Sequence, residues 1–151
     1  MSEQLPPYDQ EAEEATIGAL LIDPDAMARV IATGLQPGDF HVMRLRLIYR
    51  AIMELHAREE PADYVLVLAE LRRRSRLKDV GGPAGVTGLI VRCPTSIYAH
   101  YYATIVVERA QQRRSIARAA RIAKAAYAGE DITDLVDGFS ENSGKIKGVL
   151  R

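Results

Sequence analysis

The sequence predicts an all-α protein, with a compact multi-helix head followed by a projecting helical hairpin. Apolar residues recur at helical spacing, 21 of the 151 residues are alanine, and residues 97–127 contain neither proline nor glycine. Residues 64–68 form an apolar run that would also suit a strand. Because no second strand candidate lies nearby to pair with this run, we predict that it is helical.

The first half of the predicted head consists of two helices separated by a proline. An amphipathic run extends from about residue 9 to residue 22. Asp23 and Pro24 follow it, and these residue types favour the N-cap and the first position of a second helix. Gly34 is a typical C-cap residue, so we expect the second helix to end there, before a turn at residues 37–39.

The second half of the head contains three further predicted helices. Leu45, Ile48, Tyr49, Ile52 and Leu55 share one helical face. The run that begins at residue 64 ends in an arginine-rich stretch, residues 72–76, which we interpret as a solvated face. Two glycines and a proline at residues 81–83 predict a turn, after which a short helix extends to about residue 92.

The hairpin is predicted from the length of the last uninterrupted helix. About thirty residues of helix would measure about 45 Å at 1.5 Å per residue, whereas a head of this size has a radius of gyration near ~13 Å. Gly129 then predicts a turn, and apolar residues at helical spacing begin a second arm at residue 132. We therefore place the head at residues 1–95 and the hairpin at residues 96–151.

The hairpin also carries an apolar face that a two-helix structure leaves partly uncovered. We expect a second copy of the chain to cover this face, giving a dimer, with a trimer of dimers as the larger assembly. The residues predicted to mediate self-association are Ile116, Ala119, Ala120, Ala123, Tyr127, Ile132, Leu135, Val136 and Phe139.

Composition and charge exclude several classes of function. Lys plus Arg and Asp plus Glu both number 20, which argues against a strongly basic nucleic-acid-binding protein. No run of about 18 uncharged apolar residues is present, so we expect no membrane association. The single cysteine, Cys93, cannot form an internal disulfide, and a reducing, cytoplasmic location is the simplest interpretation. Residues 1–40 hold eight acids against one arginine and predict an acidic surface.

No catalytic motif is complete. Gly144-Lys145 superficially matches the end of a P-loop, but the first glycine of that motif would fall at Phe139, and Ile146 stands where a Mg²⁺-ligating hydroxyl is needed. The three histidines have neither i,i+4 spacing nor cysteine partners, which argues against zinc. We therefore predict no catalytic residue, no cofactor, no metal site and no enzymatic activity for this chain.

One basic stripe remains as a candidate phosphate contact. Arg114, Arg118 and Arg121 lie at offsets 0, 4 and 7 of the long predicted helix. Nothing in the pattern marks an element that would read bases in a groove. The stripe is thus either a solvated, ion-paired face or a site of weak, non-specific DNA binding, and both interpretations stay open.

Several short motifs occur in an order that resembles a known family. They are Pro6-Pro7; Glu11-Ala12-Glu13; residues 17–21; Pro37-Gly38-Asp39-Phe40; residues 47–52; residues 61–65 with Glu70-Leu71; residues 77–82; Cys93-Pro94-Thr95; residues 101–106; and Arg113-Arg114. Over about residues 6–128, this order and spacing resemble the N-terminal domain of bacterial DnaB-type replicative DNA helicases.

The resemblance implies a role in DNA replication that is not that of the motor. In this family the ATPase core follows a linker helix, and no such core is found in this sequence. The N-terminal domains pair through their hairpins, and three pairs form a collar on a hexamer that receives a DnaG-type primase. The partners it implies are a second copy of the chain, a DnaG-type primase or helicase loader, and a helicase ATPase domain.

The same resemblance, with the acidic N-terminal segment, suggests where a primase would bind. We expect the contact to involve the first helix around Glu11 and Glu14 and the surface at residues 81–89. Within that surface the candidate residues are Gly81, Gly82 and Leu89. Two other functions remain as alternatives: a stand-alone, mobile-element-encoded regulator of a host replicative helicase, and a small helical protein that binds DNA weakly and without specificity.

Overall fold

The structure, a computed structural model, describes residues 4–138, and every regular element within that range is helical. This confirms the predicted all-α fold class. The α-helices are α1 (Gln10–Ile22), α2 (Met27–Ala32), α3 (Met43–Ala57), α4 (Tyr64–Arg73), α5 (Gly82–Arg92) and α6 (Ala99–Tyr127). Short 3-10 turns occur at Pro24–Ala26, Pro37–Asp39 and Lys78–Val80, and residues 133–138 are again helical.

Side-chain caps explain where several helices begin. The Asp9 carboxylate accepts a hydrogen bond from the Ala12 amide at 2.9 Å, which fixes the start of α1. Asp63 accepts in the same way from the Leu66 amide at 2.9 Å. This cap directs the apolar run that follows it into helix α4, as predicted, although its composition also suits a strand.

The described chain divides into two compact units. One is Tyr8–Arg109, and the other consists of the described residues of Met1–Pro7 and Ala110–Arg151. Helix α6 contributes residues to both, because the side chains of its first three turns belong to the core of the first unit. Ala99, Ala103 and Val106 are almost fully buried there. The boundary between these two units therefore falls within α6, after Arg109. A head at residues 1–95 and a hairpin at residues 96–151 stay a prediction.

The core of the unit Tyr8–Arg109 is organised around α3. All five residues of its predicted apolar face are at most 2 % exposed. Tyr49 is fully buried, and its hydroxyl donates to the Leu35 carbonyl oxygen at 3.1 Å. Its ring packs on Phe40 with centroids 5.1 Å apart. A buried hydroxyl with a hydrogen-bond partner leaves no unsatisfied donor in the core.

Helices α1 and α5 approach each other at Gly18. A Cβ atom at this position would overlap the carbonyl oxygen of Leu89 and would lie 2.8 Å from the Cβ of Cys93. A residue without a side chain is therefore required, and the backbones of the two helices come into direct contact. This contact fixes the spacing of two helices that form the walls of a groove.

In the second unit, α6 ends at a glycine-dependent turn. Gly129 has φ +74°, and the Glu130 amide donates to the Ala125 carbonyl oxygen at 3.0 Å, which closes the C-terminus of the helix. After the turn, residues 133–138 return along α6. A Cβ at Gly138 would lie 2.7 Å from Nη2 of Arg118, so the two arms of the hairpin are in contact there.

Candidate partner-binding groove

An open groove of about 580 Å³ lies on the unit Tyr8–Arg109 between α1, α5 and the first turns of α6. Its walls combine an apolar surface with charged groups. The lining residues are Asp9, Glu11, Ala12, Glu14, Ala15, Leu89, Arg92, Pro94, Tyr102 and Ile105. A groove with apolar walls and a few charged groups is suited to a side chain or a short segment of another protein.

The α1 wall is built from alternating small and acidic residues. Ala12 and Ala15 are buried and leave space for the groove, while Glu11 is exposed at its edge. Asp9 is already engaged as the N-cap of α1. Among these acids, Glu11 is therefore the one most accessible to a partner.

Glu14 is held by three side chains from three different helices or turns. Its Oε1 atom accepts hydrogen bonds from Nη2 of Arg44 at 2.8 Å and from Nε2 of Gln10 at 3.2 Å. Its Oε2 atom faces Nε of Arg92 at 3.4 Å. Burial raises the pKa of Glu14, but the hydrogen bonds from Gln10 and Arg44 and the charges of Arg92 and Arg44 outweigh it, so this pKa lies below its usual value. Glu14 is therefore a fixed negative charge in the groove.

Arg92 reaches Glu14 across the backbone of Gly88. Gly88 and Arg92 are one helical turn apart on α5, and a Cβ atom at Gly88 would lie only 2.8 Å from Nη1 of Arg92. The absence of a side chain at position 88 therefore gives the guanidinium room to turn back toward α1. More than half of the Arg92 side chain, 55 %, remains exposed.

The second unit presents a separate candidate surface on α6. Ala119, Ala120 and Ala123 are exposed, as are Ile116 (58 %) and Tyr127 (94 %). These five residues recur at helical spacing, so they form one exposed, largely apolar face. Ala125 lies on the opposite side of the helix and is only 6 % exposed.

Comparison with known proteins identifies the family. Residues 5–108 match the model of the DnaB-like helicase N-terminal domain. The chain belongs to this family. This confirms the resemblance inferred from the motifs, and it places the chain among proteins of DNA replication.

Two curated relatives of this DnaB-like domain are full replicative helicases. The chain is 41 % identical over 135 residues to replicative DNA helicase DnaB of Mycobacterium leprae, covering 87 % of the chain and 22 % of the relative. It is 38 % identical over 137 residues to replicative DNA helicase DnaC of Bacillus subtilis, covering 90 % of the chain and 30 % of the relative. The chain thus spans less than a third of the length of these two relatives.

Solved structures support the DnaB-like fold. The N-terminal domain of DnaB helicase from Mycobacterium tuberculosis matches with a TM-score of 0.82 and 41 % identity, covering 88 % of this chain and 94 % of that one. A DnaB-like replicative helicase, described with its interactions with primase, matches with a TM-score of 0.73. Its identity is 22 %, with 88 % of this chain and 31 % of that one covered, so this match supports the fold alone.

The structure brings some of the predicted primase-contact residues of the DnaB-like domain together and separates others. Glu11, Glu14 and Leu89 line the same groove. Gly81 and Gly82 are not among its lining residues; they adopt positive φ angles of 89° and 69° at the start of α5. Their physical role is to let the chain turn from Lys78–Val80 into α5.

Several lining residues were not predicted as partner contacts, and they include Arg92 and Tyr102. For Arg92 a signal is present, because a glycine four residues earlier on a helix leaves room for a long side chain. Tyr102 lies in the motif at residues 101–106, which carries part of the family resemblance, and only its position beside Pro94 and Ile105 in the groove distinguishes it as a lining residue.

The predicted self-association residues on the second arm are less exposed than those on α6. Ile132 and Leu135 are half-buried, and Val136 is 45 % exposed. Phe139 lies outside the described residues. Among the described residues of the predicted self-association surface, those on α6 are therefore more available to a partner than those on the second arm.

The predicted arginine stripe lies on the side of α6 that carries the buried Ala125. Arg118 is half-buried and its guanidinium lies beside Gly138 of the second arm. Arg114 and Arg121 are exposed. Nearby, Nη1 of Arg113 donates to the Pro7 carbonyl oxygen at 2.8 Å and attaches the N-terminal stretch to this unit.

Other predicted features concern metals, membranes and reactive groups. Within residues 4–138, no cluster of three or more His, Cys, Asp or Glu side chains is arranged to hold a metal ion. In the same range, no helix has both the length and the apolar character needed to cross a bilayer. Burial raises the pKa of the Cys93 thiol, which makes it a poor nucleophile. Gly144 and Lys145 lie outside the described residues.

Proposed function

We propose that this chain acts as a non-catalytic N-terminal domain in a replicative helicase assembly in the cytoplasm. In this role it associates with copies of itself, connects to a helicase ATPase domain, and receives a primase or a helicase loader. Membership of the DnaB-like family and 41 % identity over 135 residues to a replicative helicase support the assignment to this assembly.

The observation that carries the partner-binding role is the groove on the unit Tyr8–Arg109. It brings Glu11, Glu14 and Leu89 together from two helices that are far apart in sequence. The family resemblance of the motifs implies a primase as the partner, and a solved structure of the same fold is described with its interactions with primase. We propose that the C-terminal domain of a DnaG-type primase places a basic and apolar surface against this groove.

Calorimetric titration with the C-terminal domain of the primase from the same organism tests this function. We expect Glu11→Lys to weaken binding and to reduce its dependence on salt, because an exposed interfacial carboxylate contributes mainly through long-range attraction. Glu59→Lys is the matched control, since Glu59 is also exposed but lies outside the groove.

The two possible failures of this experiment have different meanings. Equal weakening by both variants would show that only net charge matters and would remove Glu11 from the interface. Absence of binding by the wild-type chain would reject the primase as a partner and favour a stand-alone regulator.

Self-association is the second part of the proposed function. The exposed face formed by Ile116, Ala119, Ala120, Ala123 and Tyr127 supports it, because small residues let two helix backbones approach closely. We propose that two copies pack these faces together in a symmetric dimer, from which a trimer of dimers can be built.

A further inference from the structure

We propose that Arg92 is an internal competitor in the groove: it occupies the position that a cationic side chain of the partner takes, and the partner binds by displacing Arg92 from Glu14. The inference rests on the proposed partner-binding role of the groove and adds the chemistry of the group that enters it. That group is an arginine or lysine side chain next to an apolar residue.

The two oxygens of Glu14 differ in how firmly they are held. Oε1 is engaged by Arg44 at 2.8 Å and by Gln10 at 3.2 Å, both with hydrogen-bond geometry. Oε2 is paired with Nε of Arg92 at 3.4 Å, which is longer than an ordinary N–H···O hydrogen bond. Arg92 is therefore the partner that another cation can replace, while Arg44 keeps the carboxylate in place.

Solvent exposure supports the same division. The Arg92 side chain is 55 % exposed and the Arg44 side chain is 31 % exposed, whereas Glu14 is only 17 % exposed. A partly desolvated carboxylate that faces an exposed, loosely held cation attracts a second cation more strongly than a fully solvated one does. Displacing Arg92 requires only that its guanidinium move into water.

The charge of the lining specifies the occupant. Among the described residues that line the groove, three are carboxylates and one is a guanidinium. A cation from the partner would therefore enter a site with net negative charge. The remaining lining residues include Leu89, Pro94 and Ile105, which provide an apolar surface for the stem of that cation or for its neighbour.

Gly88 provides a variant that tests the competition without removing any charge. In Gly88→Ala the new methyl group would lie 2.8 Å from Nη1 of Arg92, and a flexible guanidinium moves away from such a contact. Alanine also favours a helix interior by about 1 kcal/mol over glycine, so we expect this variant to fold. Val91→Ala, a 77 % exposed position on the same helix, is the matched control.

The probe is the dipeptide N-acetyl-Arg-Leu-amide, titrated into the chain and followed by NMR. We expect Gly88→Ala and Arg92→Ala to bind it about two- to fivefold more tightly than wild type, the range that an exposed ion pair can account for. Glu14→Gln should lose most of the binding, and Val91→Ala should match wild type. In Gly88→Ala the pKa of Glu14 should also rise toward its ordinary value, which verifies that Arg92 has moved away.

The outcomes separate this inference from the proposed function. Equal or weaker dipeptide binding by both Gly88→Ala and Arg92→Ala would overturn the competition, and so would absence of dipeptide binding by every variant. If the dipeptide behaves as expected but the primase domain does not bind wild type, the primase assignment fails and the cation site stands. If the primase domain binds and the dipeptide does not distinguish the variants, the competition alone fails.

Discussion

The Arg58 guanidinium donates a hydrogen bond to the Glu70 carboxylate at 3.0 Å and so ties the C-terminus of α3 to the middle of α4. Arg73 and Arg74 contact the same carboxylate, and the Glu70 side chain is only 2 % exposed. The hydrogen bond from Arg73 is the largest influence on Glu70; burial opposes it, and Arg74 and Arg58 add to it. The pKa of Glu70 is consequently held well below its usual range.

We expect Glu70→Gln to destabilise the chain at pH 7 by about 1–3 kcal/mol, because three guanidinium groups lose a charged acceptor. The range lies below the value for fully buried pairs, since the three arginines are one third to two thirds exposed. Urea unfolding measures the difference. Glu54→Gln, whose side chain is 45 % exposed and makes longer ion pairs with Arg58 and Arg74, should cost less.

The same variant has a defined pH dependence. A carboxyl group whose pKa is lowered in the folded state stabilises the protein above its unfolded pKa of about 4.3, and that contribution disappears as the pH falls toward the folded pKa. Wild type should therefore lose more stability than Glu70→Gln between pH 5 and about pH 2. A gap between the two unfolding free energies that stays constant over this window would contradict the assigned role of Glu70.

Helix α6 offers a test of self-association. We expect Ala123→Arg and Ala119→Glu to convert a dimer to a monomer with the head still folded, because each would bury an unpaired charge in an apolar contact, at a cost of several kcal/mol. Sedimentation velocity at micromolar concentration measures the change, and circular dichroism checks helicity. Ala117→Arg is the matched control, because Ala117 is also exposed but lies about 100° around the helix from Ile116. This variant should stay dimeric. A monomeric wild type would reject the hairpin as the association element.

Gly18 is expected to be intolerant of any side chain. We predict that Gly18→Ala lowers the free energy of unfolding by about 1–3 kcal/mol, because its Cβ would meet the backbone of Leu89 and force α1 and α5 apart. Gly38→Ala is the control, since no atom lies within 4 Å of a Cβ placed there. Urea denaturation of both variants measures their free energies of unfolding. Equal values for Gly18→Ala and Gly38→Ala would contradict the prediction and show that α1 and α5 can separate without cost.

The chain is also expected to have no ATPase activity of its own. The sequence contains no complete P-loop, and the only Gly-Lys pair is followed by isoleucine instead of a hydroxyl residue. Purified chain should show no ATP turnover with or without single-stranded DNA. Turnover that follows the protein through successive purification steps would contradict this.

Helix positions were predictable because they depend on local signals. Asp9, Asp23 and Gly34 act at the ends of their elements as their residue types indicate. The arginine-rich end of α4 was less predictable. It is partly solvated as expected, but Arg73 and Arg74 also turn toward Glu70, three and four residues earlier. That spacing was visible in the sequence, whereas the third partner, Arg58, follows the end of α3 and reaches Glu70 only through tertiary packing.

The groove residues were likewise predictable only in part, because their positions depend on tertiary packing. Glu11, Glu14 and Leu89 were named from an acidic segment and a resemblance, but their meeting depends on how α1 packs on α5. Arg92 was missed because its significance depends on Glu14, which is 78 residues earlier in the chain. No periodicity connects positions so far apart; they meet because α1 packs against α5, with a direct backbone contact at Gly18.

The contact at Gly18 also determines how the groove can respond to a partner. Because the backbone of α1 lies directly against α5, these two walls of the groove cannot move closer together, and they can separate only by breaking their packing contact. The groove therefore behaves as a rigid receptor. It discriminates between partner segments by whether their side chains fit the space between the two helices. Apart from the movement of the Arg92 side chain into water, little reorganisation free energy is needed on association, so the association rate should be set by diffusion and charge instead of by a backbone opening step.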